Sequence, residues 1–244
     1  MIGQLRSELL KIRSTRSTIG LVLGLVALVL LFVLLGGFLT SADSLTRADD
    51  QRNYLGSGAL ASLFAAVAGL LVVTGEYRFG TIRPTFLVTP RRPLVVAAKY
   101  VASLGAGIAF AVVAQGLALG IGLGILSGRG ISIELDGGDF AQLVLGTLAA
   151  AALWGGIGVG LGAIVRNQVG GVIALLAWVL LVENLLFGLA PSVGRFTPGR
   201  AQDALSGMVN DHLLPAAAGG AVLVGWSLLL LAGGLVATEL RDVS

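Results

Sequence analysis

The sequence predicts an all-α integral membrane protein built on six transmembrane helices. Three observations carry that prediction. Of the 244 residues, 56% are hydrophobic and only 12% are charged, and six apolar runs reach the roughly 20 residues needed to cross a hydrocarbon core about 30 Å thick. A water-soluble domain of this size would expose far more charge. The absence of cysteine removes disulfides, thiolate chemistry and Cys-ligated metals together, and a single histidine cannot supply a His cluster for zinc. Most cofactor chemistry is thereby excluded, and no metal ligand set or catalytic constellation is expected of this chain.

Residues 1–18 are expected to form an amphipathic helix lying at the membrane interface. Ile2, Leu5, Leu9 and Ile12 recur at spacings of three and four, while Arg6, Lys11, Arg13 and Arg16 lie mostly elsewhere around it. A simple positively charged anchor is the other reading of the same residues. Residues 19–244 then form one membrane domain, with spans at about 19–39, 55–74, 94–126, 140–165, 168–190 and 216–237. The first run is too long for a signal-peptide h-region of about 7–15 residues, so it is expected to stay in the protein. The third is longer than one crossing demands and should tilt, bend or project beyond the bilayer. Gly116, Gly120 and Gly124 in the third span repeat every four residues, as do Gly156 and Gly160, and Gly158 and Gly162, in the fourth. That spacing predicts close backbone approach along those faces. Between the last two spans, PSVGRFTPGRAQDALSGMVNDHLLP is too long for a simple turn and carries a helical patch near 201–208.

The cations set an orientation. Placing the N-terminus, the 75–93 loop with Lys99, the turn at 166 and the C-terminus on one side collects Arg6, Lys11, Arg13, Arg16, Arg78, Arg83, Arg91, Arg92, Lys99, Arg166 and Arg241. Those are eleven of the 16 basic residues. The other side keeps Arg47, Arg52, Arg129, Arg195 and Arg200 with the acids Asp43, Asp49, Asp50, Glu134, Asp136, Asp139, Asp203 and Asp211. The asymmetry fits an even number of crossings with both termini cytoplasmic.

The stretch GEYRFGTIRPTFLVTPRRPLVVAAKY, residues 75–100, holds five cations and one acid between two apolar runs. Arg91 and Arg92 could serve topology alone, but topology does not explain so long a loop when the chain turns elsewhere through Arg166, Asn167 and Gln168. Residues 76–90 read as a short surface helix, broken or started near Pro84, with Gly80 and Thr81 as turn and cap. Phe79, Ile82, Phe86, Leu87 and Val88 supply apolar surface that could dock on another protein.

These residues resemble a family. The amphipathic N-terminal helix, six spans and GEYRFGTIRPTFLVTPRR followed by a Lys-bearing third span are similar to the permease subunit of bacterial ABC-2 type exporters. That family shows a Glu-x-Arg-x-x-Gly-Thr block, a Thr-Pro-basic block and then a Lys. Here Glu76, Arg78, Gly80, Thr81, Thr89, Pro90, Arg91, Arg92 and Lys99 hold comparable positions, although Gly80 follows Arg78 by two. The resemblance implies an N-terminal elbow helix, and a cytoplasmic coupling helix between spans 2 and 3 that seats on a separate ATPase. The coupling residues would be Glu76, Tyr77, Arg78, Phe79, Gly80, Thr81, Ile82, Arg83, Thr89, Pro90, Arg91 and Arg92. It further implies two permeases, identical or homologous, in a prokaryotic plasma membrane, and ATP and Mg bound by the partner ATPases. Short helices between spans 5 and 6 would cap an extracellular exit. The chain itself has no G-x-x-x-x-G-K-[ST] phosphate loop, since neither Lys11 nor Lys99 follows glycine; ATP would be hydrolysed elsewhere, and nucleic acid is not an expected partner.

Glu183 is the one acid deep in a span, where a charge costs about 2.5–3.5 kcal/mol on insertion scales. With Asn184 it either lines a substrate path or gate, or ties the fifth span to a neighbour through a protonated or hydrogen-bonded carboxyl. Gln115 is a weaker path candidate, better suited to an interhelical hydrogen bond. Lys99 is expected to snorkel toward the interface. Trp154, Trp178 and Trp226 read as packing or interface residues, and His212 beside Asp211 lacks a nucleophile or metal partner. The expected function is ATP-driven export of an amphipathic substrate such as a peptide, an antibiotic or a lipid. An ATP-independent carrier or channel is the alternative, and it would need more ionisable groups within the spans.

Overall fold

The structure, a computed structural model, describes residues 3, 5, 7, 8, 10, 11, 15–82, 84, 87 and 92–240, with Arg92 placed by its backbone. Every described element is helical: α1 Arg16–Leu39, α2 Ala48–Leu55, α3 Ala61–Arg78, α4 Arg92–Gly128, α5 Gly137–Val165, α6 Gln168–Ala177, α7 Glu183–Leu189, α8 Pro191–Gly194, α9 Pro198–Leu205 and α10 Ala216–Leu240. Short 3-10 turns at Ala42–Leu45 and Gly56–Leu60 flank α2, and a π-helical turn at Trp178–Val182 joins α6 to α7. Six helices are long and apolar enough to cross a membrane: Arg16–Leu39, Ala48–Arg78, Pro93–Gly128, Gly137–Val165, Gln168–Leu189 and Ala216–Leu240. The chain is therefore a multi-pass membrane protein by its architecture.

α5 is the hub, packed along α3, α4 and α10. Its glycines explain why. An added Cβ at Gly158 would run into the Ala66 carbonyl of α3, and one at Gly160 into the Leu230 backbone of α10. Gly162 faces Leu70 and Val73, while Gly156 lies beneath Tyr100 and Ser227. Both expected faces of the fourth span thus make close approaches, one to each neighbour, around a core that includes Ala150, Trp154 and Ile157.

The third span departs from expectation. Gly116, Gly120 and Gly124 face open space, and α4 packs instead through Phe110, Ala111, Ala114 and Ala118. α4 carries two small-residue faces, and burial of the alanine face alone lets Phe110 join the core. With 37 residues α4 is about 55 Å long. Its surplus reaches beyond one crossing, where Leu126 packs with Leu55 at the end of α2 and with Leu45, Ile131 and Leu135 from the connections.

The second span is longer than the apolar run that announced it, because α2 adds an amphipathic extension before the 3-10 turn. Gln51 in α2 is fully buried; its amide donates to the carbonyls of Leu45 and Ser132 and accepts from the Glu134 N–H. Arg129 caps the end of α1 by donating to Gly37 O and Thr40 O at 2.5 and 2.9 Å, and an Asp136–Asp139 capping box starts α5, with Asp139 also paired to Arg52. These contacts knit one end of the bundle. At the opposite end Arg166, held at φ 56°, donates to Ala237 O at 2.7 Å and lies 5.1 Å over the Tyr77 ring. The segment after the second span, the turn after the fourth and the end of the sixth are therefore neighbours.

Burial separates the helices. In their most apolar stretches the second and fourth spans are 61% buried within the chain, against 17% for the first and sixth and 11% for the fifth. The first, fifth and sixth spans leave broad apolar surface for lipid or another chain.

Candidate functional site

Four charged side chains meet where the N-terminal segment crosses the ends of α3 and α4. Lys99 Nζ lies 2.8 Å from Glu8 Oε2 and 2.8 Å from Glu76 Oε1, and Lys11 Nζ lies 2.8 Å from Glu8 Oε1 and from that same Glu76 oxygen. Lys99 also donates to Val72 O at 3.4 Å. Glu8 is fully buried and Lys99 is 1% exposed. The expectation that Lys99 snorkels is corrected here: its stem does not carry the ammonium outward, because two carboxylates receive it inside the protein. Two acids and two cations balance, which is the condition under which buried charges are tolerated. Burial works to lower the Lys11 pKa, but hydrogen bonds to Glu76 and Glu8 and the charges of both outweigh it, leaving the ammonium above its ordinary value. Glu8 was not singled out in the sequence. Its i,i+3 spacing to Lys11 was visible, but its pairing with Lys99, 91 positions away, was not.

Glu76, Tyr77 and Arg78 form the last turn of α3 rather than the start of a separate surface helix. The chain breaks at Phe79–Thr81, where Gly80 takes φ +69°, a conformation that disfavours side chains with a Cβ. Ile82, Pro84 and Leu87 are helical again. Tyr77 is covered by Arg166; Arg78 donates to Gln168 Oε1 at 3.3 Å and lies 5.5 Å over the Phe79 ring. Ile82 is buried, whereas Phe79 and Leu87 are 74% and 82% exposed. Two large apolar side chains thus project from this end of the bundle, Phe79 beneath the Arg78 guanidinium. Arg83, Phe86, Val88, Thr89, Pro90 and Arg91 lie outside the described residues, and Arg92 opens α4.

The second polar group lies toward the other end. Glu183 opens α7 and stands six positions before the close of the fifth span, past its middle on the side of that end. Its Oε1 accepts from Trp178 Nε1 at 2.7 Å and its Oε2 from the Gly199 N–H at 2.9 Å. A Cβ at Gly199 would meet Glu183 Oε2, so a side chain fits there only if the carboxylate moves. Asn184 spans the π-helical turn: Nδ2 donates to Val179 O and Leu180 O at 3.1 Å each, and Oδ1 accepts from Arg200 Nη2 at 2.6 Å. A π turn displaces backbone carbonyls from their ordinary partners, and an amide side chain restores them. Arg200 also donates to Asp203 Oδ2 at 2.9 Å and covers the Phe187 ring at 4.6 Å. Burial pushes the Asp203 carboxyl up, with Arg200 opposing.

Glu183, Asn184, Gly199, Arg200 and Asp203 line a cavity of about 410 Å³. Phe32, Leu60, Leu63 and Leu180 make its apolar side. Trp154 Nε1 and Ser57 Oγ, both buried and without a hydrogen-bond partner among the described residues, belong to its wall. Trp178, Gly199, Arg200 and Asp203 were not singled out as site residues; only the Arg200-x-x-Asp203 spacing at the start of the helical patch could have hinted at Arg200 and Asp203. Gln115 sits elsewhere: its amide donates to Leu55 O at 3.1 Å beneath Gly58 and is reached by Thr147, and the cavity of Glu183 does not extend to it. Its geometry is that of a clasp between α4 and the break before α3. Trp226 donates to Phe196 O and lies 6.3 Å from Trp178, both serving packing. His212 packs edge-on against Phe187. No protein-family model matches this chain, and no curated protein matches it.

Proposed function

We propose that this chain is the permease subunit of an ABC-2 type exporter, working with separate ATPases and a second permease, identical or homologous. The observation that carries the reading is the four-residue ion cluster. Glu76 and Lys99 bracket the basic segment that bears the family-like pattern, and Glu8 and Lys11 tie the N-terminal helix to both. In this reading the N-terminal elbow, the end of the second span and the start of the third move as one body. Phe79 and Leu87 offer the apolar contact by which an ATPase groove would hold the coupling helix, and the cations around them keep it at the cytoplasmic surface.

A pull on that segment is transmitted by rigid parts. α3 runs unbroken from the coupling segment to the 3-10 turn beside the Glu183 cavity, and its tight seam with α5 resists slippage. The cavity, apolar on one side and polar on the other, suits an amphipathic cargo such as a peptide, an antibiotic or a lipid. Asn184 and Arg200 would close the exit by joining α7 to α9. Both termini would be cytoplasmic in a prokaryotic plasma membrane.

Affinity purification of the chain from its native membrane tests the proposal. An ATP-hydrolysing subunit should copurify, and Gly80→Val, which strains the break before the coupling segment, should release it while leaving the permease in the membrane. Purification of an active transporter with no ATPase would favour the ATP-independent carrier instead.

A further inference from the structure

A second cavity, of about 780 Å³, opens beside the ion cluster between α1, α3 and the first turn of α6. Its walls divide by position along the helices. Arg16, Arg78 and Gln168 belong to the bundle end, whereas Leu21, Leu71 and Val72 lie roughly 8–11 Å further along their helices. Arg78 is steadied at the cavity by Gln168. The two acids in the wall are already engaged: Glu8 and Glu76 are bonded to Lys11 and Lys99, and the Glu76 oxygen that takes no hydrogen bond is enclosed by protein. The guanidinium charges of Arg16 and Arg78 are therefore left uncancelled by the cavity's own carboxylates.

The first turn of α1 adds to this positive field. Ser17 and Thr18 line the cavity, no acidic residue lies in that turn, and the N-cap residue Thr15 makes no side-chain cap bond among the described residues. The Thr15 hydroxyl, which could have done so, donates to the Lys11 carbonyl. The positive end of a helix dipole beside two arginines attracts an anion, and basic pockets between membrane helices suit lipid headgroups.

We infer that this cavity binds an anionic membrane phospholipid, with its phosphate held by Arg16, Arg78 and the first turn of α1 and an acyl chain laid along Leu21, Leu71 and Val72. A lipid fits better than free phosphate because the anion-binding groups run directly into an apolar wall. The bound lipid would bridge the N-terminal segment, the first span and the segment after the second. The inference does not depend on the transport reading.

The test uses the full-length chain in detergent, with dioleoyl phosphatidylglycerol, dioleoyl phosphatidylcholine or glycerol phosphate added and thermal unfolding followed. Phosphatidylglycerol should raise Tm by roughly 5 °C at saturation, with little effect of the other two. Arg16→Gln and Arg78→Gln should remove most of that shift, Arg47→Gln at the far end should keep it, and Leu71→Trp should remove it by filling the apolar wall without touching charge. Native mass spectrometry reads the retained lipid directly if a variant's unfolding changes for other reasons. Equal shifts with phosphatidylcholine, an equal shift with glycerol phosphate, or a loss in Arg47→Gln as large as in Arg16→Gln would each overturn the assignment.

Discussion

Glu8 and Lys99 form a 2.8 Å ion pair in which both side chains are almost wholly buried. The pair joins a segment before the first span to the second turn of α4, so its geometry fixes Glu8 against the bundle. Removing Lys99 leaves Lys11 alone to balance the two buried acids Glu8 and Glu76, an uncompensated charge that costs up to about 3–5 kcal/mol. Lys99→Met should therefore lower thermal stability sharply in detergent. The double variant Glu8→Gln/Lys99→Met should recover part of that loss, with a coupling of about 0.5–3 kcal/mol. Additive losses would show that the two residues do not act as a pair.

Lys11 gives the cluster an alkaline limit. Its folded-state pKa is raised above 10.5, so its contribution is fully present below that pH and is lost as pH rises through the raised value. The stability advantage of wild type over Lys11→Gln should hold from neutral pH to about 10 and shrink above 10.5. Unfolding at a series of alkaline pH values measures it; an advantage growing with pH would contradict the arrangement.

The two glycine-bearing helices give a paired test of packing. Gly158→Val should destabilise by about 1–3 kcal/mol or more, since the new side chain meets the Ala66 carbonyl. Gly116→Val enters open space and should change the monomer's stability by no more than about 0.5 kcal/mol. Equal effects at the two positions would mean that α4 packs through the other face.

Gly199→Ala presses a methyl group against the Glu183 carboxylate. The expected result is a loss of about 1–3 kcal/mol together with a change in Trp178 fluorescence, because the same carboxylate accepts the Trp178 N–H. Glu183→Gln keeps one acceptor and should retain more stability than Glu183→Leu. An unchanged emission spectrum in Gly199→Ala would show that the two contacts are not linked through Glu183.

Much of the fold was legible because crossing a bilayer demands long apolar runs, and such runs stand out in any sequence. The fourth span's glycines could be read for the same reason, since their spacing puts them on two faces and both are used. The third span shows the limit. Glycine and alanine faces share one spacing, and only the neighbours decide which is buried. The α2 extension was hidden because residues 48–55 are polar on one side, and the reach of Gln51 into two loops is a tertiary fact. The candidate sites were half visible. Glu76, Arg78, Gly80 and Lys99 stood out by type and place, but Glu8 became a partner only once the N-terminal segment folded back. Glu183 was conspicuous as an acid in a greasy helix, whereas Gly199 and Arg200 meet it through a loop whose path no local pattern encodes.

The central claim is that the segment after the second span is a handle held by a cytoplasmic ATPase. The chain has no cysteine, and Phe79 is 74% exposed at that segment, so Phe79→Cys provides a single reporter. Labelling in intact cells with a membrane-impermeant maleimide, followed by photo-crosslinking from the same position in opened membranes, addresses the claim directly. The account predicts no labelling from outside, full labelling after the membrane is opened, and a crosslink to an ATP-binding protein. Labelling of intact cells, or accessibility from inside with no ATP-binding partner crosslinked, would contradict it.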